Sequence, residues 1–291
     1  MNIIQIFQQF PTTESCIEHL EKTRWGDKPR CPYCQSERTT INDGRHYCYN
    51  CKTSFSVTVG TIFHHTHMPL QKWFLAISLI LNAKKGISAL QLSRDIEVNK
   101  NTAWRIAMQI RKAMTQREHR GLLTGIVEMD ETYIGGKPRK GGGGEPPKRG
   151  RGTKKQPVIG AVERGGKVRA KATTKDKLKG RNLRAFVKQN LDIDNALLMT
   201  DEYKGYLGMS KIVPHSVIKH ADWYVDGDIH TNTIEGFWAL LKRGMFGQFH
   251  SVSKKHLQRY VDEFCYRYNL RHAPKGCAFD HTLNLGLGIA A

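Results

Sequence analysis

Apolar residues change their spacing several times along this chain, and each change marks an element. From Pro69, the stretch PLQKWFLAISLILNA places Leu70, Trp73, Phe74, Ile77 and Leu81 on one face at helical spacing. GISALQLSRDIEVNKNTAWRIAMQIRKAM then reads as two helices with a short break. Ser88 followed by Gln91 predicts a capping box, and Leu90, Leu92 and Ile96 the apolar face. Glu97 to Asn99 make the turn, and Trp104, Ile106 and Ile110 carry the core onto the second helix. In TGIVEMDETYIGG the period falls to two, so Ile126, Glu128, Asp130 and Thr132 share one strand face and Val127, Met129 and Glu131 the other.

PVIGAVERGGKVRAKAT predicts two more strands, Val158–Glu163 and Lys167–Thr173, around an Arg-Gly-Gly turn. DKLKGRNLRAFVKQNLD is an amphipathic helix with Leu178, Leu183, Phe186, Val187 and Leu191 facing inward. NALLMTDEYKGY is a short buried strand ending at Asp201, a usual place for a catalytic carboxylate in an α/β sheet. Asn232 to Lys242 is helical; seven residues make nearly two turns, so Glu235 and Lys242 lie on one face, flanked by Asn232 and Trp238. SKKHLQRYVDEFCYRYN buries Leu257, Val261, Phe264 and Tyr268 as core support. Three strands, a helix, a strand and a later helix is the order of the ribonuclease-H-like fold. An α/β (α+β) multidomain protein is expected, with domains at 1–60 (N-terminal helix and ribbon), 61–118 (helix-turn-helix) and 119–291 (catalytic).

The first domain is read from cysteines. Cys31 and Cys34, thirteen intervening residues, then Cys48 and Cys51 supply four thiolates on two tight turns, the plan of a zinc ribbon. Thr39 to Ile41, a turn at Asn42-Asp43-Gly44 and Arg45 to Tyr47 predict the hairpin between them. Cys16, Cys265 and Cys277 lack such spacing and read as ordinary thiols, and His64, His65 and His67 as a polar connection.

Charge adds a partner. Forty-six Lys and Arg against 26 Asp and Glu give a net charge of +20, which favours nucleic acid over small anions. The helix-turn-helix layout puts Lys100, Asn101 and Arg105 at the start of its second helix, facing a groove; the plainer reading is a helical hairpin. Between Lys137 and Lys155 lie eight Lys or Arg, four consecutive glycines and three prolines. This insertion, with Lys148, Arg149 and Arg151, reads either as a solvated loop or as a clamp on phosphates. Arg243, Lys254, Lys255 and Arg259 extend a basic track. The longest apolar run, Trp73 to Ala83, is far short of a membrane span, and MNIIQIFQQFP does not read as a signal peptide. Seven cysteines, four in CxxC pairs, suit a reducing compartment, so a cytoplasmic protein at the bacterial nucleoid is expected. Acids beside a polyanion need an intermediary, and a divalent metal ion is the usual one.

MDETYIGG, TDEY and HTNTIEGFWALLKRG behind a CxxC…CxxC ribbon closely resemble the insertion-sequence transposases of the zinc-ribbon, Merlin-related group, which are DDE-type enzymes. The resemblance runs from about Phe10 to about Leu270. It implies a ribonuclease-H-like catalytic domain in which Asp130 and Asp201 are the first two metal ligands, with Mg²⁺ or Mn²⁺ as cofactor. The third position in the group is Glu or Asn followed by Lys, and both occur here; Glu235 is preferred for its charge and its spacing to Lys242, with Asn232 as rival or co-ligand. The implied reaction is hydrolysis of a phosphodiester at the transposon end, then attack of the freed 3′-hydroxyl on target DNA, with Lys242 orienting a phosphate. Oligomers in a synaptic complex are expected from the resemblance alone. Two other classes stay open: a metal-dependent nuclease without strand transfer, and a DNA-binding regulator needing only the ribbon and the helix-turn-helix.

Overall fold

The structure, a computed structural model, describes residues 1–42, 44–115, 121–136, 153–218, 230–274 and 276–289. Two compact units are present, one of residues 1–114 with 273–291, the other of residues 115–272. Residues 273–291 thus join the first unit rather than the catalytic segment, and the ribbon and the helix-turn-helix share one unit. The physical reason for the difference is aromatic packing: Phe279 meets Phe10 and Phe74, all three buried, and so draws the C-terminal helix into the first unit.

In the first unit α1 (Ile3–Gln9) and α2 (Thr13–Trp25) precede a three-stranded ribbon, β1 (Thr39–Asn42), β2 (Arg45–Cys48) and β3 (Thr53–Phe55). Asn2 and Thr12 cap the two helices with full capping boxes. The ribbon leans on α2, where Trp25 packs edge-on to His46 and Phe55, and the His46 ring meets Glu21 at 2.8 Å. After it come α3 (Leu70–Asn82), α4 (Ala89–Asp95) and α5 (Lys100–Ala113).

The second unit is built on β4 (Leu123–Ile134), β5 (Gln156–Glu163), β6 (Val168–Ala172), α6 (Gly180–Asn190), β7 (Leu191–Asp201), β8 (His215–Ile218), α7 (Asn232–Gly244) and α8 (Leu257–Asn269). The last helix, α9 (Cys277–Gly286), belongs to the first unit. Strand order is β6-β5-β4-β7-β8; β4, β5 and β6 pair antiparallel, and β4, β7 and β8 parallel. The four-residue β8 is absent from the sequence reading.

Alternation along β4 separates the two faces as expected. Val127 and Met129 join Leu183, Phe186 and Val187 of α6 in one buried cluster. On the opposite face Glu128 and Asp130 bond α7, whose Ile234, Phe237, Trp238 and Leu241 are buried. Helices therefore cover both faces of the sheet, and β4 lies at its centre with an acidic residue turned each way. Among the described residues no helix is long and apolar enough to cross a membrane.

Candidate active site and nucleic-acid interface

Register brings the first two acids together. Met129 of β4 stands opposite Thr200 of β7, so Asp130 and Asp201, the next residues, are neighbours on parallel strands. Asp130 Oδ1 accepts the Glu131 backbone N–H at 2.7 Å, and Oδ2 accepts Trp238 Nε1–H at 3.1 Å. Asp201 Oδ1 accepts the Tyr203 N–H at 3.1 Å. Burial, then the charges of Glu131 and Asp201, push the Asp130 carboxyl up to about 7. Glu131 points to the α6 side, where the buried Tyr206 hydroxyl donates to it at 2.9 Å.

The third predicted ligand sits on α7. Asn232 and Glu235 are exposed on its first turn, Lys242 is half-buried and Arg243 exposed. At about 100° per helical residue, Glu235 lies roughly 60° around the helix from Trp238, Lys242 about 40° to the same side, and Asn232 about 120° away. Of the two rivals, Glu235 is thus nearer the edge that Trp238 docks on Asp130. Among the described residues, the only group of His, Cys, Asp or Glu with three or more ligand atoms within 4.8 Å of one another is the cysteine set. Asp130, Asp201 and Glu235 therefore do not form one such cluster.

Trp238 reaches Asp130 only because β5 carries a glycine there. Gly160 pairs with Asp130 across the sheet, and a Cβ on it would stand 2.6 Å from Trp238 Cη2 and 2.8 Å from Cζ2. The indole is buried and has no room to swing away. Gly160→Ala is expected to cost about 1–3 kcal/mol and to break the Trp238–Asp130 bond. Denaturant unfolding checks the cost, and a loss under about 0.5 kcal/mol would refute this account of the contact.

The cysteines form the second site. Cys31, Cys34, Cys48 and Cys51 gather their sulfurs within 4.8 Å, with Cys31–Cys51 at 3.6 Å and Cys34–Cys48 at 3.5 Å. Tetrahedral zinc with bonds of about 2.3 Å separates its sulfurs by about 3.8 Å, so the four fit the ion with little movement. Hydrogen bonds from the Ser36 backbone and the Asn50 side chain pull the Cys34 thiol down to about 6, while burial pushes Cys31 up to about 11.

The helical pair α4–α5 departs from its expected core at two positions. Leu92 and Ile96 are buried, but Leu90 is 49% exposed. On α5 the buried residues are Ala103, Ile106, Ala107, Met108, Ile110, Arg111 and Ala113, and Trp104 is 41% exposed. Trp104 lies beside Lys100 and Asn101 in the first turns of the helix, and further along its row Met108 and Arg111 are buried. Asn99, Lys100, Asn101, Thr102 and Arg105 line an open groove, with the Asn99 side chain capping the helix through the Thr102 N–H at 2.8 Å. The capping box at Ser88 is half formed: Ser88 accepts the Gln91 N–H, while the Gln91 side chain donates to Asp95. His64 and His65 stack at 4.0 Å in a turn. Lys148, Arg149 and Arg151, and most of the basic insertion, lie outside the described residues.

Strand order and direction place the second unit in the ribonuclease-H-like class, behind a four-cysteine ribbon. Residues 122–269 match the ISXO2-like transposase domain, and residues 11–54 the transposase zinc-ribbon domain. A protein of the transposable element ISH50 from Halobacterium salinarum is 30% identical over 278 residues, covering 88% of this chain and 90% of that one. This chain belongs to the ISXO2-like transposase family. More distant likenesses are to the Mos1 transposase paired-end complex with left transposon end (13% identity, 73% and 75% of the two chains, TM-score 0.32) and the Mos1 strand transfer complex (14%, 73% and 74%, TM-score 0.31).

Proposed function

We propose that this transposase cuts DNA at the ends of its element and joins them to a target, through a DDE-type site made of Asp130, Asp201 and Glu235. The observation that carries this is the juxtaposition of Asp130 and Asp201 on parallel strands, with α7 docked on the same strand through Trp238. The donor set fits a divalent cation. An Asp130 carboxyl raised to about 7 by burial and two neighbouring carboxylates is an anion the bare protein disfavours, and a dication reverses that preference. Mg²⁺ or Mn²⁺, when bound, supplies activation of the attacking hydroxyl and neutralisation of charge on the entering and leaving oxygens.

The chain's own residues prepare that site. Trp238 and the Glu131 N–H each occupy one lone pair of Asp130 and fix its rotamer, and the Tyr203 N–H does the same for Asp201. Lys242, on the side of α7 that carries Glu235, holds a phosphate of the scissile strand. Asn232 stays the alternative to Glu235. Lys100, Asn101 and Arg105 engage DNA from the start of α5, with the exposed Trp104 beside them, and the cysteine ribbon is a structural zinc module. The family resemblance supports an oligomer at paired ends, and a DNA substrate supports a place at the nucleoid.

The test is an assay with a labelled element end and a supercoiled target. Asp201→Ala is expected to abolish cleavage and joining while retaining end binding in a gel shift. Glu235→Ala should lose at least about 100-fold in cleavage and Asn232→Ala about tenfold or less. The reverse order would make Asn232 the third ligand. Cleavage without any joined product would replace the transposase reaction by that of a nuclease.

A further inference from the structure

We propose that Glu128 is a positioning residue of the active site, a carboxylate that binds no metal but sets where α7 sits against β4. The inference rests on the DDE reading above and deepens it. Glu128 is two residues before Asp130 on the same strand face and is 0% exposed. Its Oε2 accepts the backbone N–H groups of Thr233 at 2.8 Å and Ile234 at 3.0 Å. Its Oε1 accepts the Thr233 hydroxyl at 2.9 Å and Arg164 Nε–H at 2.7 Å. Those four bonds fill the lone pairs of one carboxylate, which leaves none for a cation.

Helix α7 needs this partner. Its N-cap, Thr231, makes no side-chain capping bond, so the Thr233 and Ile234 N–H groups would lose their acceptor without Glu128. A remote strand residue thus does the work of a cap, and its charge suits the positive end of the helix. Arg164 adds a second tie, donating to the His230 carbonyl at 2.9 Å and lying 3.0 Å from His230 Nδ1, which fixes the chain as it enters α7.

The spacing matches along both elements. From Glu128 to Asp130 is two strand residues, about 6.6 Å, and from Ile234 to Trp238 is four helical residues, about 6 Å. Glu128 and Asp130 therefore each meet their own contact on α7, the first at Ile234 and the second at Trp238. Two anchors on one strand remove both sliding and rotation of the helix, and Glu235, between them in sequence, is held by that docking. One anchor alone leaves the helix free to pivot about it.

The decisive experiment compares full-length Glu128→Gln, Asp130→Asn, Thr233→Ser and Thr233→Val for end cleavage, gel-shift binding and Mn²⁺ binding by electron paramagnetic resonance. In Glu128→Gln an amide nitrogen faces N–H donors. Its cleavage rate is expected to fall about 10–100-fold, with end binding unchanged and Mn²⁺ still bound at an affinity reduced about tenfold. Thr233→Ser, which keeps the hydroxyl bond, should cleave at nearly the native rate, and Thr233→Val several-fold more slowly. Cleavage by Glu128→Gln within threefold of native overturns the proposal, and so does complete loss of Mn²⁺ binding, which would make Glu128 a ligand. Should Glu128→Gln fail to fold, equal rates for the two Thr233 variants overturn it instead. Asp130→Asn separates the two levels: if it remains active the DDE reading itself fails, whatever Glu128 does.

Discussion

Asp130→Asn is expected to abolish cleavage and yet to make the metal-free protein more stable at pH 8. The Asp130 carboxyl stands at about 7 in the folded chain against 3.8 for an ordinary aspartate, chiefly through burial and then through Glu131 and Asp201. Between those values the folded chain binds the proton more readily than the unfolded one, so this group's contribution to stability falls as pH rises from about 4 to about 7 and is flat above. Asparagine cannot ionise and escapes the penalty, although its amide nitrogen is a poorer partner for the Trp238 N–H. A net gain of about 1–2 kcal/mol without added Mg²⁺ or Mn²⁺ is expected at pH 8, shrinking to nothing or reversing near pH 4. Mn²⁺ should raise the melting temperature of the native protein and leave that of the variant nearly unmoved. Cleavage should drop by about 10³-fold or more, which corresponds to about 4 kcal/mol of lost transition-state stabilisation. A variant less stable than the native chain at pH 8 without added Mg²⁺ or Mn²⁺ would show that burial and repulsion do not govern Asp130.

The opposed effects of this one substitution explain why its position was readable from sequence. A carboxylate among Val127, Met129 and other strand-forming residues contradicts its own surroundings, and alternation alone assigns it a face. The seven-residue step from Glu235 to Lys242 was equally legible, because helical geometry turns a spacing into a shared side. Glu128 was placed on the correct face and its task was missed. Alternation gives direction without a partner, and its partner Thr233 lies 105 residues away. Gly160 reads as any strand glycine in the sequence, and its close contact with Trp238 comes from a helix 78 residues further along the chain. Leu90 on α4 and Trp104 on α5 fit the apolar spacing of their helices and are nevertheless exposed. Segment β8 offered only His-Ser-Val-Ile, too short for a period to declare itself, and it forms by pairing with an already placed β7. Glu128, Gly160 and β8 thus depend on partners far along the chain, whereas the elements that were legible rest on a local repeat.

Zinc removal should have the largest effect on stability, and it should be confined to the ribbon. The buried core there is Cys31, Cys48 and Phe55, with Trp25, Val59 and the other two cysteines packed against it. Most of that cluster is the metal site itself, so a three-stranded sheet of four, four and three residues has little apolar burial of its own. Structural zinc in small modules contributes about 10–16 kcal/mol of binding free energy at neutral pH, far more than this core can replace. Hydrogen bonds lower the Cys34 thiol and burial raises that of Cys31, which must release its proton as an ion closes the site. Affinity therefore rises with pH, and mild acid favours release. Chelation, or Cys48→Ser, is expected to melt β1 to β3 and to shift the fluorescence of Trp25, whose ring rests on His46 and Phe55. The second unit contains none of the four ligands, so hydrogen exchange along β4 and β7 should stay as slow as before. Protection lost from both units together would mean that the ribbon is required for the sheet to fold, and protection kept in β2 after complete chelation would mean that the four cysteines hold no structural metal.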